Sequence, residues 1–384
     1  MPFYSQMIRP LLFRFDAERA HHLTVEACRV AGRIPGMVRA VRACCEVDEP
    51  LLRTEVAGLH FANPIGLAAG WDKNGRALRM IDALGFGFAE IGSVSAAPSS
   101  GNPRPRLFRL PEERGIIVNY GLPNDGIDVV AQRIARFEPR HPLGVNLVRT
   151  NRGKADSATS PEEVFSDYVH SVTKAHPCAS YLMLNLSCPN AEGGRELFDQ
   201  PGYRTALLER ISALDVQCPV FLKVAPTEDP ERLVRMLEEC ERFPFVRGFC
   251  FNLPVGKPDS LTLNAPRDVL DGRPGAVAGA PVAALINRCI ARLYREMDRE
   301  RYAIIGTGGI FSAEDAYLKI QLGASLLQLY TALIYEGPFV TKRICRGLVR
   351  LMTRDGFAEI RDVVGTAHQE RGVVEKLVTK SCGE

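Results

Sequence analysis

The sequence lacks the features of a membrane-spanning, secreted or metal-binding chain. No apolar run approaches the ~18 residues that a spanning helix requires, and the most apolar stretch, 275–286, is broken by Gly279 and Pro281. The eleven cysteines are scattered, with one adjacent pair (Cys44 and Cys45) and no CxxC spacing. An odd, unpatterned set reads as reduced thiols in a cytosolic-type compartment rather than a disulfide framework. The seven histidines are dispersed and HExxH is absent, so no protein-bound metal is expected. Charge of one sign is not in excess either. A net charge of +3 gives no electrostatic case for nucleic acid. With 46% hydrophobic and 24% charged residues, disordered and collagen-like classes are excluded. Arginines interrupt the first apolar residues too often for the core of a signal peptide.

Basic charge is concentrated in residues 1–45. Seven arginines there oppose only Asp16, Glu18 and Glu26, a net of +4. Phe3, Tyr4, Met7, Ile8, Leu11, Leu12, Phe13 and Phe15 accompany them. Such a helical segment suits either the surface of an anionic membrane or a cap on its own domain.

From about residue 60 the pattern changes to short apolar runs separated by helical stretches. Candidate strands cover 64–68, 89–94, 143–148, 181–186, 220–224, 248–251, 303–306 and 325–330. Runs apolar on both faces, alternating with helices, indicate buried parallel strands. Eight such units predict an α/β fold, a (β/α)8 TIM barrel, with an N-terminal helical extension. The expected division is 1–45 for the extension, 46–340 for the barrel and 341–384 for a C-terminal helical segment and tail. Ser160-Pro161-Glu162-Glu163 predicts a capped helix start, as does Ser312-Ala313-Glu314-Asp315. The long stretches 95–141 and 253–300 are expected to build the active-site rim.

The chemistry-bearing residues fall at the C-terminal ends of these strands, the face on which barrel enzymes carry their sites. Strand one leads into Ala69, Gly70 and Lys73, strand two into Ser93, and strand three carries Asn146. Strand four delivers Asn185, Cys188 and Asn190, strand five Lys223 and strand six Asn252. One polar side chain at a strand end is ordinarily a local hydrogen bond. Six in register argue for a site. After strand seven, Gly306-Thr307-Gly308-Gly309-Ile310 offers backbone amides and a helix start to a phosphate, with Gly279 upstream and Tyr330 and Thr331 on strand eight. This is not a GxGxxG dinucleotide motif. Cys188 has no histidine beside it, so its thiol, with an ordinary pKa of about 8.5, suits proton abstraction better than acyl transfer.

At these motifs the sequence resembles the dihydroorotate dehydrogenase family. The likeness rests on the ordered set 63–75, 101–109, 185–190, Lys223, 306–310 and 323–338, and spans most of the chain. Asp16-Ala17-Glu18-Arg19-Ala20-His21 is similar to the helical extension of the membrane-associated, quinone-using class 2. The resemblance implies FMN held by Ala69, Gly70, Ser93, Asn146, Lys223, Gly279, Gly308, Gly309, Tyr330 and Thr331. It implies dihydroorotate held by Lys73, Asn185, Asn190 and Asn252, with Cys188 removing a proton as hydride passes to the flavin. Lys223 would stabilise charge on the reduced flavin. Arg109 and His21 would border the quinone, and the protein would sit peripherally on a membrane facing a reducing compartment such as the cytoplasm.

Several positions depart from that pattern. Cys188 and Gly121-Leu122-Pro123-Asn124 follow the soluble class 1. Val118 replaces an asparagine that contacts substrate, Ala191 a threonine, Leu253 a hydroxyl residue, and Phe251 a threonine near the flavin. A second reading is therefore a diverged FMN oxidoreductase acting on another dihydropyrimidine or cyclic ene. A third, a non-catalytic flavin-binding or membrane-docking protein, leaves Lys73, Cys188 and Lys223 without a purpose.

Overall fold

The computed structural model describes residues 4–153, 160–189, 196–259, 261, 263–266, 270–369 and 372–380. Its strands are β1 (Thr54–Val56), β2 (Leu59–Phe61), β3 (Ile65–Leu67), β4 (Phe88–Val94), β5 (Leu107–Leu110), β6 (Gly115–Val118), β7 (Leu143–Leu147), β8 (Tyr181–Asn185), β9 (Val220–Val224), β10 (Val246–Phe251), β11 (Ala276–Gly279), β12 (Ala303–Gly306) and β13 (Leu326–Leu329). Parallel strands β3, β4, β7, β8, β9, β10, β12 and β13 close into a barrel in sequence order. They are the eight strands expected from the apolar runs. β7, β8 and β13 are buried along their whole length, because the interior is packed and helices cover the outer face.

Aromatic rings fill the lower end of the barrel. Phe88 meets Phe61 edge-on at 5.4 Å, and Tyr181 meets Phe221 at 5.5 Å. Gly66 and Gly144 make room for these rings. A Cβ on Gly66 would collide with Phe88, and one on Gly144 with Tyr181. The antiparallel hairpin β1–β2 closes this end, contributing Val56 and Phe61 to the same cluster.

The upper end is open, and both long insertions rise there. The first supplies β5 and β6, the second β11, and the three pair as an antiparallel sheet in the order β11–β6–β5. Both expected helix starts form. Ser160 and Glu163 make a reciprocal capping box, as do Ser312 and Asp315.

The N-terminal segment folds as a π-helical turn, Tyr4–Ile8, followed by α1 (Arg9–Leu12), α2 (Ala17–Ala31) and α3 (Met37–Cys45). Asp16 caps α2 by accepting from the Arg19 amide at 3.0 Å. One side of the segment is seated on the barrel. Tyr4 donates to the Ile334 carbonyl at 2.7 Å, and Phe13 packs edge-on against Tyr335 at 5.5 Å. The other side is exposed and carries apolar side chains among basic ones. Of the eleven large hydrophobic residues exposed among the described residues, eight lie in this segment, including Met7, Leu11, Phe15 and Leu23. No helix of the described residues is long and apolar enough to cross a membrane.

Candidate active site

A cavity of about 190 Å³ opens at the C-terminal end of the barrel. Ala69, Gly70, Lys73, Ser93, Asn185, Cys188, Lys223, Asn252, Gly279, Gly308, Gly309, Tyr330 and Thr331 all line it. Asn146 does not reach the cavity wall; it lies fully buried behind Ser93. Asn190 and Ala191 lie outside the described residues. Arg109 and His21 line a different cavity.

The loop after β3 is shaped by Asp72, whose carboxylate accepts from the backbone amides of Asn74, Arg76 and Ala77 at 3.2, 3.0 and 2.7 Å. Three amides gathered on one buried carboxylate turn the chain back and leave Lys73 facing the cavity. The Lys73 ammonium donates to the Gly70 carbonyl at 2.7 Å and lies 4.1 Å from the centre of the Tyr120 ring. Burial pushes its pKa down to about 8, against the opposing pull of Glu18 and Asp72. An incoming carboxylate would supply the charge this ammonium lacks.

The amides are ordered by a run of hydrogen bonds. Asn252 Nδ2 donates to Asn185 Oδ1 at 2.8 Å, and Asn185 Nδ2 to Ser93 Oγ at 3.3 Å. Ser93 then donates to Asn146 Oδ1 at 2.5 Å, and Asn146 Nδ2 to Glu90 Oε1 at 2.8 Å. Cys188 is buried and lies just past the end of β8. On the opposite side Gly308 and Gly309 hold φ of +75° and +70°, a conformation that leaves backbone groups open to a ligand. Val118, Leu122, Phe251 and Leu253 form an apolar part of the wall.

A second cavity, of about 220 Å³, lies between the extension and the barrel. Leu12, Phe13, Ala17 and Ala20 line it from one side, and Leu107, Leu333 and Ile334 from the other. Its polar residues are few. Arg109 donates to the Phe15 carbonyl at 2.9 Å and lies 4.5 Å from the Phe13 ring centre. His21 stacks on Tyr330 at 6.4 Å with its Nε2 3.4 Å from Lys73 Nζ. Burial, then the charge of Lys73, drives the His21 pKa well below its usual value, so the ring is neutral. Ile116 and Tyr330 belong to both cavities.

Reading strand ends alone missed three residues. Tyr120 underlies Lys73, while Glu90 and Gln328 sit within β4 and β13 and join the polar network at 2.8 Å. For Glu90 and Gln328 the signal was a charged or amide side chain inside an otherwise apolar strand.

The family model described as dihydroorotate dehydrogenase matches residues 51–352. A "dihydroorotate dehydrogenase (quinone)" of Rhodospirillum rubrum is 37% identical over 378 residues, covering 97% of each chain. One of Natronomonas pharaonis is 38% identical over 364 residues, covering 94% of this chain and 98% of its own. Among solved structures, the DHODH of Eimeria tenella in complex with ferulenol superposes with a TM-score of 0.78 at 28% identity, covering 92% of this chain and 96% of that one.

Proposed function

The chain belongs to the dihydroorotate dehydrogenase family, and from that premise we propose that it oxidises dihydroorotate to orotate and passes the electrons to a quinone, in pyrimidine biosynthesis. One observation carries this reading. A cavity holding two lysines, a cysteine and two asparagines shares a wall with an apolar cavity beneath the N-terminal extension.

The residues present fit FMN. The positive-φ pair Gly308–Gly309 offers a cradle for a phosphate, and Lys223 lies on the same cavity. The buried Gln328 Oε1 has no hydrogen-bond partner among the described residues, as suits an atom reserved for a ligand. Ala69, Gly70, Ser93, Gly279, Tyr330 and Thr331 complete the cofactor wall, with Asn146 supporting Ser93. Bound FMN supplies the acceptor for the hydride leaving substrate C6.

The protein's own residues do the rest. Lys73 pairs with the substrate carboxylate. Asn185 and Asn252, with Asn190, match the donors and acceptors of the pyrimidine ring. Cys188 takes the C5 proton on Sγ, a task for which a thiol is better suited than an alcohol near neutral pH. Lys223 offsets negative charge developing on the cofactor. Arg109 and His21 orient the quinone in the second cavity.

The extension, 1–45, serves as a peripheral anchor and quinone entrance. Its net charge of +4 suits anionic lipid, and its exposed apolar side chains suit shallow insertion. The barrel, 46–340, carries the chemistry, and 341–384 supports it; the whole faces a reducing compartment such as the cytoplasm. The apolar wall of Val118, Leu122 and Leu253 favours a second reading, oxidation of a less polar dihydropyrimidine or cyclic ene at the same site. Anaerobic mixing of purified protein with L-dihydroorotate distinguishes them. Bleaching of flavin absorbance within a turnover time supports the first. A flavin that stays oxidised rejects it in favour of the second.

A further inference from the structure

Glu90 is 1% exposed and has no part in the chemistry above. Its carboxylate faces three donors: Tyr181 Oη at 3.1 Å, Asn146 Nδ2 at 2.8 Å and Gln328 Nε2 at 2.8 Å. A carboxylate deprived of water is strongly unfavourable unless donors surround it. An amide that faces it must turn its NH₂ inward, because its oxygen would be repelled. Glu90 therefore fixes which way two amides point.

The consequence differs in the two directions. Through Asn146 the order propagates outward, so that Ser93, Asn185 and Asn252 all donate toward Glu90. Through Gln328 it ends at the cavity. Gln328 is 2% exposed and lines the cavity, and its Oε1 has no partner among the described residues. With Nε2 committed to Glu90, the side chain can offer a ligand only an acceptor. Gln328 on β13 pairs with Gly66 on β3, which in turn pairs with Phe88 on β4. The Gln328 amide reaches Glu90 across β3, while the space over Gly66 is taken by the Phe88 ring.

We propose that Gln328 is a flavin-binding residue, accepting from an N–H of the isoalloxazine, and that Glu90 is a positioning residue that holds it and lowers the electron affinity of the bound flavin. The inference rests on FMN being the cofactor. A negative charge on Glu90, one side chain behind the cavity wall through Gln328, would oppose electron uptake by the cofactor, whereas the neutral Glu90→Gln keeps the shape and would lose that opposition.

The test compares full-length wild type with Gln328→Leu, Glu90→Gln and the packing control Phe61→Leu. FMN affinity is read by fluorescence quenching on deflavinated protein, and the midpoint potential by dye equilibration. Gln328→Leu should weaken FMN binding at least tenfold. Glu90→Gln should favour reduced flavin about tenfold, a positive shift of ~30 mV for a two-electron couple. Phe61→Leu should lower thermal stability and move neither reading. Unchanged affinity in Gln328→Leu, or an equal change in Phe61→Leu, overturns the proposal. If Glu90→Gln does not fold, the affinity of Gln328→Leu decides alone. A wild type that takes up no FMN overturns the cofactor reading itself, whereas normal wild-type uptake with indistinguishable variants overturns only this inference.

Discussion

Arg106 and Glu18 form a buried, forked ion pair: Nε lies 3.2 Å from both carboxylate oxygens and Nη2 2.8 Å from Oε1. Glu18 is on α2 and Arg106 just precedes β5, so the pair fastens the extension to the barrel rim. Arg106 is held in turn by the carbonyls of Ser100 and Asn102 at 2.6 and 2.8 Å.

Removing one partner leaves the other charge buried. Glu18→Ala should therefore destabilise the protein by about 3–5 kcal/mol, seen as a lower thermal midpoint. Burial raises the Glu18 pKa, but hydrogen bonds and charge from Arg106 overcome it and set the net value below 4.5. A depressed carboxylate stabilises the fold above its unfolded pKa and loses that contribution as pH falls through its folded one. The gap in midpoint between wild type and Glu18→Ala should be widest above pH 4.5 and should narrow below it. A gap that widens on acidification contradicts the assignment.

In the proposed mechanism Lys73 is the pH-sensitive element of substrate capture. It is charged below about pH 8 and neutral above, and only the charged form attracts a carboxylate. KM should rise as pH passes through 8, with flavin reduction at saturating substrate much less affected. Lys73→Met should raise KM roughly 10- to 100-fold, as expected for a lost charged hydrogen bond of about 1.5–3 kcal/mol, while retaining FMN. Stopped-flow flavin reduction across a substrate series separates the two effects.

Cys188→Ala should abolish flavin reduction by substrate and keep the flavin content of the wild type. Cys188→Ser should retain a slow reaction that accelerates toward high pH, because an alcohol is a much weaker acid than a thiol and is scarcely ionised near neutral pH. Reoxidation by quinone should be nearly unchanged in both. Wild-type reduction rates in Cys188→Ala would assign Cys188 a structural role.

The exposed apolar face of the extension should govern vesicle binding. Combining Met7→Asp with Leu11→Asp should abolish sedimentation with anionic liposomes, since both side chains are exposed and insertion would carry charge into lipid. High salt should weaken wild-type binding by screening the basic residues. A truncation starting near Val47 should keep substrate-driven flavin reduction and lose quinone turnover. Unaltered sedimentation of the double variant would make the face a bystander.

The barrel was legible because its strands are apolar on both faces, and most of the residues lining its upper cavity because six polar side chains fall in register at strand ends, more than local hydrogen bonds account for. β5, β6 and β11 were not visible. They are four-residue strands inside long insertions, and each finds its partner only once the barrel has brought the insertions together. Glu90 and Gln328 were hidden differently. Sequence gives no sign that two polar residues 238 positions apart meet across a barrel. Mid-strand polarity in β4 and β13 was the available clue, since an inward-facing charge in a dry barrel must be answered by another side chain.

If the two cavities hold the ring substrate and the quinone as proposed, the wall that Ile116 and Tyr330 share between them has a kinetic consequence. A ligand on one side need not leave before one on the other arrives, because neither occupies the other's volume. Reciprocal plots against the two substrates should then run parallel, as for two half-reactions joined only through the oxidation state of the protein. A compound filling the apolar side should compete with the quinone and not with the ring substrate.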